Sequence, residues 1–370
     1  MKLSFIIPYG MRSFDKQHQR LLSLVSTLVS LNDCEIIIHD MSVDSAHQRL
    51  TDSGLMANAK VTYMHEPLLF GDVFSPAYAR NQGVKHSKGE YLFFMDVDLT
   101  ADITFLQSLI GRANKLKQIS TKAFEMFPCF YLTQNASLNQ NKNNFSPSNY
   151  LLSYMQGENS IIEGIALASS CLLVNKNWFN RLGGFDESFI GHGGEDLFLI
   201  CQLAYHFPLA PLPSDFKNNT KTLHPANYKG FRRYLSVYAL EHLFEQRFFL
   251  HSWHPRPLTH NYYRRRKYND LYLMKKIQDL LTNQPEKLGN TYTNLVDNSF
   301  NIEHQYEAWL VQKQEEYHWH YPQYSGLFQW KAKQKIKRPL WRKIRKLYVN
   351  PRLFTKDLID KHKKPFKQNQ

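Results

Sequence analysis

A chain of 370 residues, 43% hydrophobic and 14% aromatic, is too long for one small domain and too apolar to be disordered. Its net charge of +14 is concentrated: from Lys331 to Gln370 fifteen Lys/Arg face only Asp357 and Asp360, a local +13 that leaves about +1 for the first 330 residues. A nucleic-acid binder would spread such charge over a folded face and carry a base-reading module, so the chain divides instead into a nearly neutral body and a basic tail.

No apolar run reaches the roughly 20 residues that span a bilayer. The start, MKLSFIIPYG, reads as a first strand rather than a secretory signal, because Pro8 and Gly10 end the apolar stretch at once. Cys34, Cys129, Cys171 and Cys201 have no metal-binding or disulfide-framework spacing, which fits a reducing cytosol.

In chain order, Leu3 to Pro8 predicts a strand and Phe14 to Leu31 a helix, through Leu21, Leu24, Val25 and Leu28. Glu35 to His39 predicts a second strand ended by Asp40, and Val61 to Met64 a weaker third. Ser75-Pro76 reads as N-cap and first residue of a helix through His86. Tyr91 to Met95 predicts an apolar strand running into Asp96-Val97-Asp98, with a helix starting near Asp102. Strands alternating with helices imply an α/β fold, a mostly parallel sheet flanked by helices. In such sheets ligands bind beyond the carboxyl ends of the strands, where Pro8-Tyr9, Asp40 and Asp96/Asp98 all fall.

Residues 134–149 (QNASLNQNKNNFSPSN) are polar and pattern-free, and are expected to form a mobile loop, either a lid or a plain insertion. A strand over 166–174 and a short helix over 178–182 follow. An apolar helix over 197–207 begins behind Gly191-His192-Gly193-Gly194-Glu195-Asp196. Residues 226–330, rich in Tyr, His, Arg and Trp, are expected to form a mainly helical subdomain after a body spanning 1–225.

Asp96-Val97-Asp98 is the only Asp-x-Asp in the chain. Two carboxylates at the end of a buried strand repel each other unless a cation or a helix N-terminus answers them, so the pair reads as a divalent-metal clamp or as a helix cap. Hard carboxylate oxygens suit Mg2+ or Mn2+, which complete their shells with substrate phosphates. Glu195-Asp196 could likewise merely cap its helix. However, Gly193 and Gly194 before it would let an acceptor approach while one acid deprotonates a hydroxyl and the other orients it.

Taken in order, FIIPYGMR, the strand ending in HD, AYARNQGVKHSKGEYLFFMDVDL and LGGFDESFIGHGGEDLFL resemble inverting GT-A glycosyltransferases. The likeness is to family 2 bacterial capsule enzymes with a galactosyltransferase-like C-terminal motif, and it covers residues 1 to about 225. The resemblance implies that Asp96 and Asp98 hold Mn2+ or Mg2+ and the nucleotide sugar. It implies donor contacts at Pro8, Tyr9, Arg12, Asp40 and Arg80, and a third metal ligand at His224. Asp196 is implied as catalytic base beside Glu195, with His192, Gly193 and Gly194 on the acceptor side. Two segments depart from the pattern: HDMSVD lacks the paired acids of many relatives, and His192 stands where galactosyltransferases carry tryptophan.

His251, His254 and His260 cluster with Trp253, Tyr262 and Tyr263, a pattern that serves sugar stacking or helical packing equally well. Residues 262–267 (YYRRRK) read as a phosphate contact or as a solvated charged face. In the tail, Trp330, Ile336, Leu340, Trp341, Ile344 and Leu347 among Lys and Arg fit an amphipathic helix on anionic lipid, or a basic tail without a target.

The reading is therefore an inverting, metal-dependent transferase at the cytoplasmic face of the membrane. It would move a hexose from a nucleotide sugar, UDP-linked, to a saccharide or lipid-linked acceptor of a surface polysaccharide. A transferase using another donor, or a catalytically idle assembly protein of the same fold, are the alternatives.

Overall fold

The computed structural model describes residues 3–10, 16–69, 72–139, 146–155, 160–209, 211–221, 225, 228–256 and 260–283, with single positions 308, 311, 344, 347, 348, 351, 354 and 355. Arg12, His224 and nearly all of the basic tail lie outside these residues.

Leu3–Tyr9 (β1) and Cys34–Asp40 (β2) are buried along their whole length, as strands covered on both faces must be. Between them Lys16–Val29 (α1) buries Leu21, Leu24, Val25 and Leu28 at helical spacing. His47–Asp52 (α2) leads to Val61–His65 (β3), a half-exposed edge strand. Ser75 caps Pro76–His86 (α3) by accepting the Tyr78 amide at 3.3 Å, and Pro76 occupies the first turn, where its missing N–H costs nothing.

Tyr91–Phe94 (β4) runs into the Asp-x-Asp, followed by Leu99–Thr100 (β5) and Ile103–Ile119 (α4). Asp102 caps α4, accepting the Thr104 and Phe105 amides at 2.9 and 3.2 Å. Neither Asp96 nor Asp98 is spent on that helix, so the capping alternative for the pair falls away.

Phe124–Met126 (β6) and Cys129–Leu132 (β7) precede Gln134–Asn139 (α5) and Pro147–Met155 (α6). These two helices correct the pattern-free loop expected over 134–149, of which only 140–145 lie outside the described residues. The Thr133 hydroxyl accepts the Ala136 amide at 3.2 Å in the first turn of α5, and α6 buries Leu151, Tyr154 and Met155. The apolar residues that make α6 a helix lie beyond 149, so the polar window concealed it. Ile162–Ala166 (β8) and Leu172–Asn175 (β9) replace the single strand expected over 166–174, and they belong to different sheets.

Lys176–Arg181 (α7), Glu195–His206 (α8), Asn219–Thr220 (β10), Lys229–Gly230 (β11) and Phe231–Phe244 (α9) follow. Phe249–His251 (β12), Asn261–Arg264 (α10) and Arg266–Asn283 (α11) complete the described elements.

The main sheet has the order β3-β2-β1-β4-β9-β6, parallel from β3 to β4, with β9 antiparallel to both its neighbours. Its two faces pack against separate apolar clusters, one including α8, α9 and α11, the other α1 and α4. This is the α/β architecture expected, a mostly parallel sheet flanked by helices. A second sheet, β5-β12-β7-β8, stands beside the Asp-x-Asp. Within it β12 lies parallel to β7, with His251 opposite Tyr131, and antiparallel to β5, with His251 opposite Leu99. Chain well past residue 225 thus builds the wall next to Asp98. Among the described residues no helix is long and apolar enough to cross a membrane.

Candidate active site

One cleft opens beyond the carboxyl ends of β1 and β4, and Pro8, Arg80, Asp96, Asp98, Glu195 and Asp196 all line it. Asp98 meets two imidazoles there: His251 Nε2 lies 3.2 Å and His254 Nε2 3.1 Å from its Oδ2. His254 Nδ1 stands 3.2 Å from the Pro255 carbonyl, which can only accept, so that nitrogen carries the proton. Burial, against the attraction of Asp98, pushes His251 down to about 4, so its imidazole is neutral at physiological pH. Burial opposes the Asp98 charge, but the imidazoles and Arg20 hold its carboxyl well below the usual range. The three donors lie within 4.8 Å of one another. One carboxylate and two imidazoles fit a divalent transition ion, Mn2+ better than Mg2+, which prefers oxygen throughout.

Asp96 faces elsewhere. Arg80, almost wholly buried on α3, places one guanidinium nitrogen 2.8 Å from Asp96 Oδ1 and the other 3.0 Å from Glu195 Oε1. Ser170 Oγ donates to the second Asp96 oxygen at 3.3 Å. A planar fork is suited to two carboxylates at once, and here it ties the Asp-x-Asp to the acid pair. Burial and the neighbouring Asp196 raise Glu195 to about 7, while Arg80 pulls it down. Its Oε2 has no hydrogen-bond partner among the described residues. Asp196, at the start of α8, lines the cleft and is half-buried.

The glycines before the acid pair are needed for backbone shape. Gly193 and Gly194 have φ of +81° and +111°, and a Cβ would lie 2.5 Å from Arg266 at the first and 2.6 Å from the Phe189 ring at the second. His192 rests on Tyr262 and Tyr263, with ring centroids 5.6 and 5.3 Å away, and its Nε2 is 3.3 Å from an Arg266 nitrogen.

Tyr9 and Asp40 are not part of the cleft wall. The Tyr9 hydroxyl pairs with His18 at 2.8 Å beneath the surface. Asp40 is fully buried and accepts from the Ser42 and Ala46 amides at 2.7 and 2.9 Å and from the Ser42 and Tyr63 hydroxyls. Four donors occupy its lone pairs and shape the turn after β2.

The family model described as glycosyltransferase like family 2 matches residues 6–279. The chain belongs to this family. The matched span runs through β12, so that His251 and His254 lie inside it. No curated relative matches in sequence. Among solved structures, S. aureus TarS 1–349 with UDP-GlcNAc is similar at 16% identity and TM-score 0.34, over 56% of this chain and 54% of that one. GalNAc-T7 with UDP, GalNAc and Mn2+ is similar at 13% identity and TM-score 0.38, over 56% and 41%. Glucosyl-3-phosphoglycerate synthase from Mycobacterium tuberculosis is similar at 14% identity and TM-score 0.34, over 56% and 67%. The chain spans little more than half the length of the TarS chain it matches.

Asp98, Arg80, Asp96, Glu195 and Asp196, which the family resemblance implies as site residues, all line this cleft. The sequence did not assign His251 and His254 to Asp98, nor Lys221, Arg232 and Arg256 to the cleft wall. The only local signal for the histidines was that His251 and His254 lie three residues apart directly after the apolar triplet of Phe248, Phe249 and Leu250.

Proposed function

We propose that this glycosyltransferase moves a hexose from a UDP-linked donor to a saccharide or lipid-linked acceptor, with inversion and with a divalent metal. The observation that carries the reading is the meeting of Asp98, His251 and His254 in the same cleft as Glu195-Asp196.

Asp98, His251 and His254 would hold the ion. When bound, the ion neutralises the departing diphosphate as a Lewis acid. Arg256 lies 3.5 Å from His251 and over the Tyr131 ring, which places its guanidinium for the same diphosphate. Asp196 takes the proton of the acceptor hydroxyl as that oxygen attacks the anomeric carbon from the face opposite the leaving group. Glu195 sits behind it on Arg80 and positions the guanidinium that also holds Asp96. In this reading Asp40 acts indirectly, by shaping the turn beside the donor, and Arg12 and His224 remain candidate contacts outside the described residues.

A second reading makes Glu195 the base, because its carboxyl is raised to about 7 and has an unpartnered buried oxygen. Glu195→Gln then abolishes turnover and Asp196→Asn spares it.

The basic tail supports attachment to the anionic cytoplasmic face of a membrane and extension of a capsule or other surface polysaccharide. Ile344, Leu347 and Tyr348 are exposed apolar residues among its charges. Hydrolysis of a panel of nucleotide sugars with and without Mn2+ tests the enzymatic reading. Metal-dependent release of sugar from one donor is expected, and no release from any donor favours the idle assembly protein.

A further inference from the structure

Resting on the metal reading above, we infer that Arg20 and Ser137 are positioning residues for the candidate metal site. Between them they clamp the backbone of Trp253 and so fix where His254 meets Asp98. Neither lines the cleft, so both act on the site from behind.

The turn after β12 is held at three successive backbone groups by three separate parts of the chain. The Ser252 amide donates to the Asp98 carbonyl at 2.8 Å. The Trp253 amide donates to the Ser137 hydroxyl, on α5, at 2.6 Å. The Trp253 carbonyl accepts from Arg20 Nη2, on α1, at 2.8 Å. That carbonyl and the His254 amide share one planar peptide unit. Fixing the oxygen therefore fixes the direction in which the His254 Cα leaves the turn. His254 Nε2 then stands 3.1 Å from Asp98 Oδ2.

The two imidazoles are held by different means. His251 is still within the second sheet, opposite Leu99 on one side and Tyr131 on the other. His254 lies beyond the last residue of β12, and side chains take over the work of the ladder there. Arg20 is the stronger clamp, since a hydrogen bond from a charged donor is roughly twice as strong as a neutral one. It also projects from a helix whose Leu21, Leu24 and Val25 are buried in the core.

Charge alone would give the opposite effect. Arg20 and Asp98 feel each other's charge, and a guanidinium beside a cation site repels the ion. Were Arg20 only a neighbouring charge, its removal would strengthen metal binding; as a clamp on the turn, its removal weakens it.

The test is UDP binding to the full chain across a series of Mn2+ concentrations, read by calorimetry, with the Mn2+ midpoint as the measured quantity. Arg20→Met is expected to raise the midpoint roughly tenfold, the lower end of what outer-shell partners of metal ligands are worth. Ser137→Ala is expected to raise it less. Both variants should keep the metal-free melting temperature, and saturating Mn2+ should restore UDP affinity, which a general structural loss would not allow. In a His254→Ala background, Arg20→Met should add less than about twofold, because the ligand it positions is gone. A midpoint within about twofold of wild type, or below it, removes the role from the residue substituted, and in both variants overturns the inference. A full rise that persists without His254 also overturns it. Should one variant fail to fold, the other decides by the same criterion. A wild type whose UDP binding ignores Mn2+ would instead overturn the metal site itself.

Discussion

Asp98 and His251 come from opposite halves of the chain and meet at 3.2 Å because β12 inserts between β5 and β7. One strand end supplies the carboxylate, and a strand from beyond the expected domain boundary supplies the imidazole. A ligand set assembled in this way exists only in the folded chain, so metal affinity and the integrity of the second sheet are linked.

Asp98→Asn and His251→Ala should each abolish Mn2+-dependent UDP binding, read by calorimetry with and without the ion. The loss expected is at least tenfold, since even outer-shell partners of metal ligands are worth 10–100-fold. Asp96→Asn should act differently. It removes a charge from Arg80 without touching the cluster of Asp98, so Mn2+ affinity should fall less than in Asp98→Asn. Equal losses in the two variants would return Asp96 to the metal shell.

Asp196→Asn should leave UDP–Mn2+ binding close to wild type and cut turnover by roughly 10²–10⁴-fold, the usual worth of a positioned general base. A variant keeping more than a tenth of wild-type turnover would remove Asp196 from that role.

What the sequence disclosed and what it hid have distinct physical causes. Tyr91 to Met95 is apolar on both faces, so the strand and the acids at its end are read directly from the residue order. Glu195-Asp196 announces itself through the glycines before it, a residue type that supplies the positive φ this turn needs without the steric cost other residues would meet. β12 offers no comparable signal: three residues show no period, and nothing local says they pair with Cys129–Tyr131. Asp40 misled in the opposite way. Its place at a strand end is that of a ligand contact, yet Ser42, Ala46 and Tyr63 occupy its oxygens. Long-range pairing and competition among local donors are properties of the assembled fold.

Removing residues 331–370 takes away +13 of charge and most of the apolar residues among it. Each basic residue near an anionic surface contributes about 1 kcal/mol, screened by salt. The shortened protein should lose co-sedimentation with phosphatidylserine vesicles, and the full chain should be released as salt rises. Equal sedimentation of both forms at moderate salt would leave the tail without a membrane role.

The pH dependence of stability provides a separate reading of Glu195. Burial and Asp196 raise its carboxyl from 4.5 to about 7 in the folded protein. Between those values the folded chain keeps a proton that the unfolded chain has released. Stability contributed by Glu195 is therefore full below about 4.5 and is lost as pH rises through about 7. Glu195→Gln has no proton to lose and still offers an oxygen to Arg80, so its melting temperature should decline less between pH 5 and pH 7.5 than that of the wild type. A kilocalorie per mole shifts the melting temperature of a domain of 150–250 residues by roughly 2–4 °C and that of a larger body by less, so a difference of about 1 °C or more is expected between the two declines. Parallel curves would mean that Glu195 stays ionised against Arg80 across this range. In that case the carboxylate is fixed as a partner of the guanidinium, and the reading of Glu195 as base loses its support.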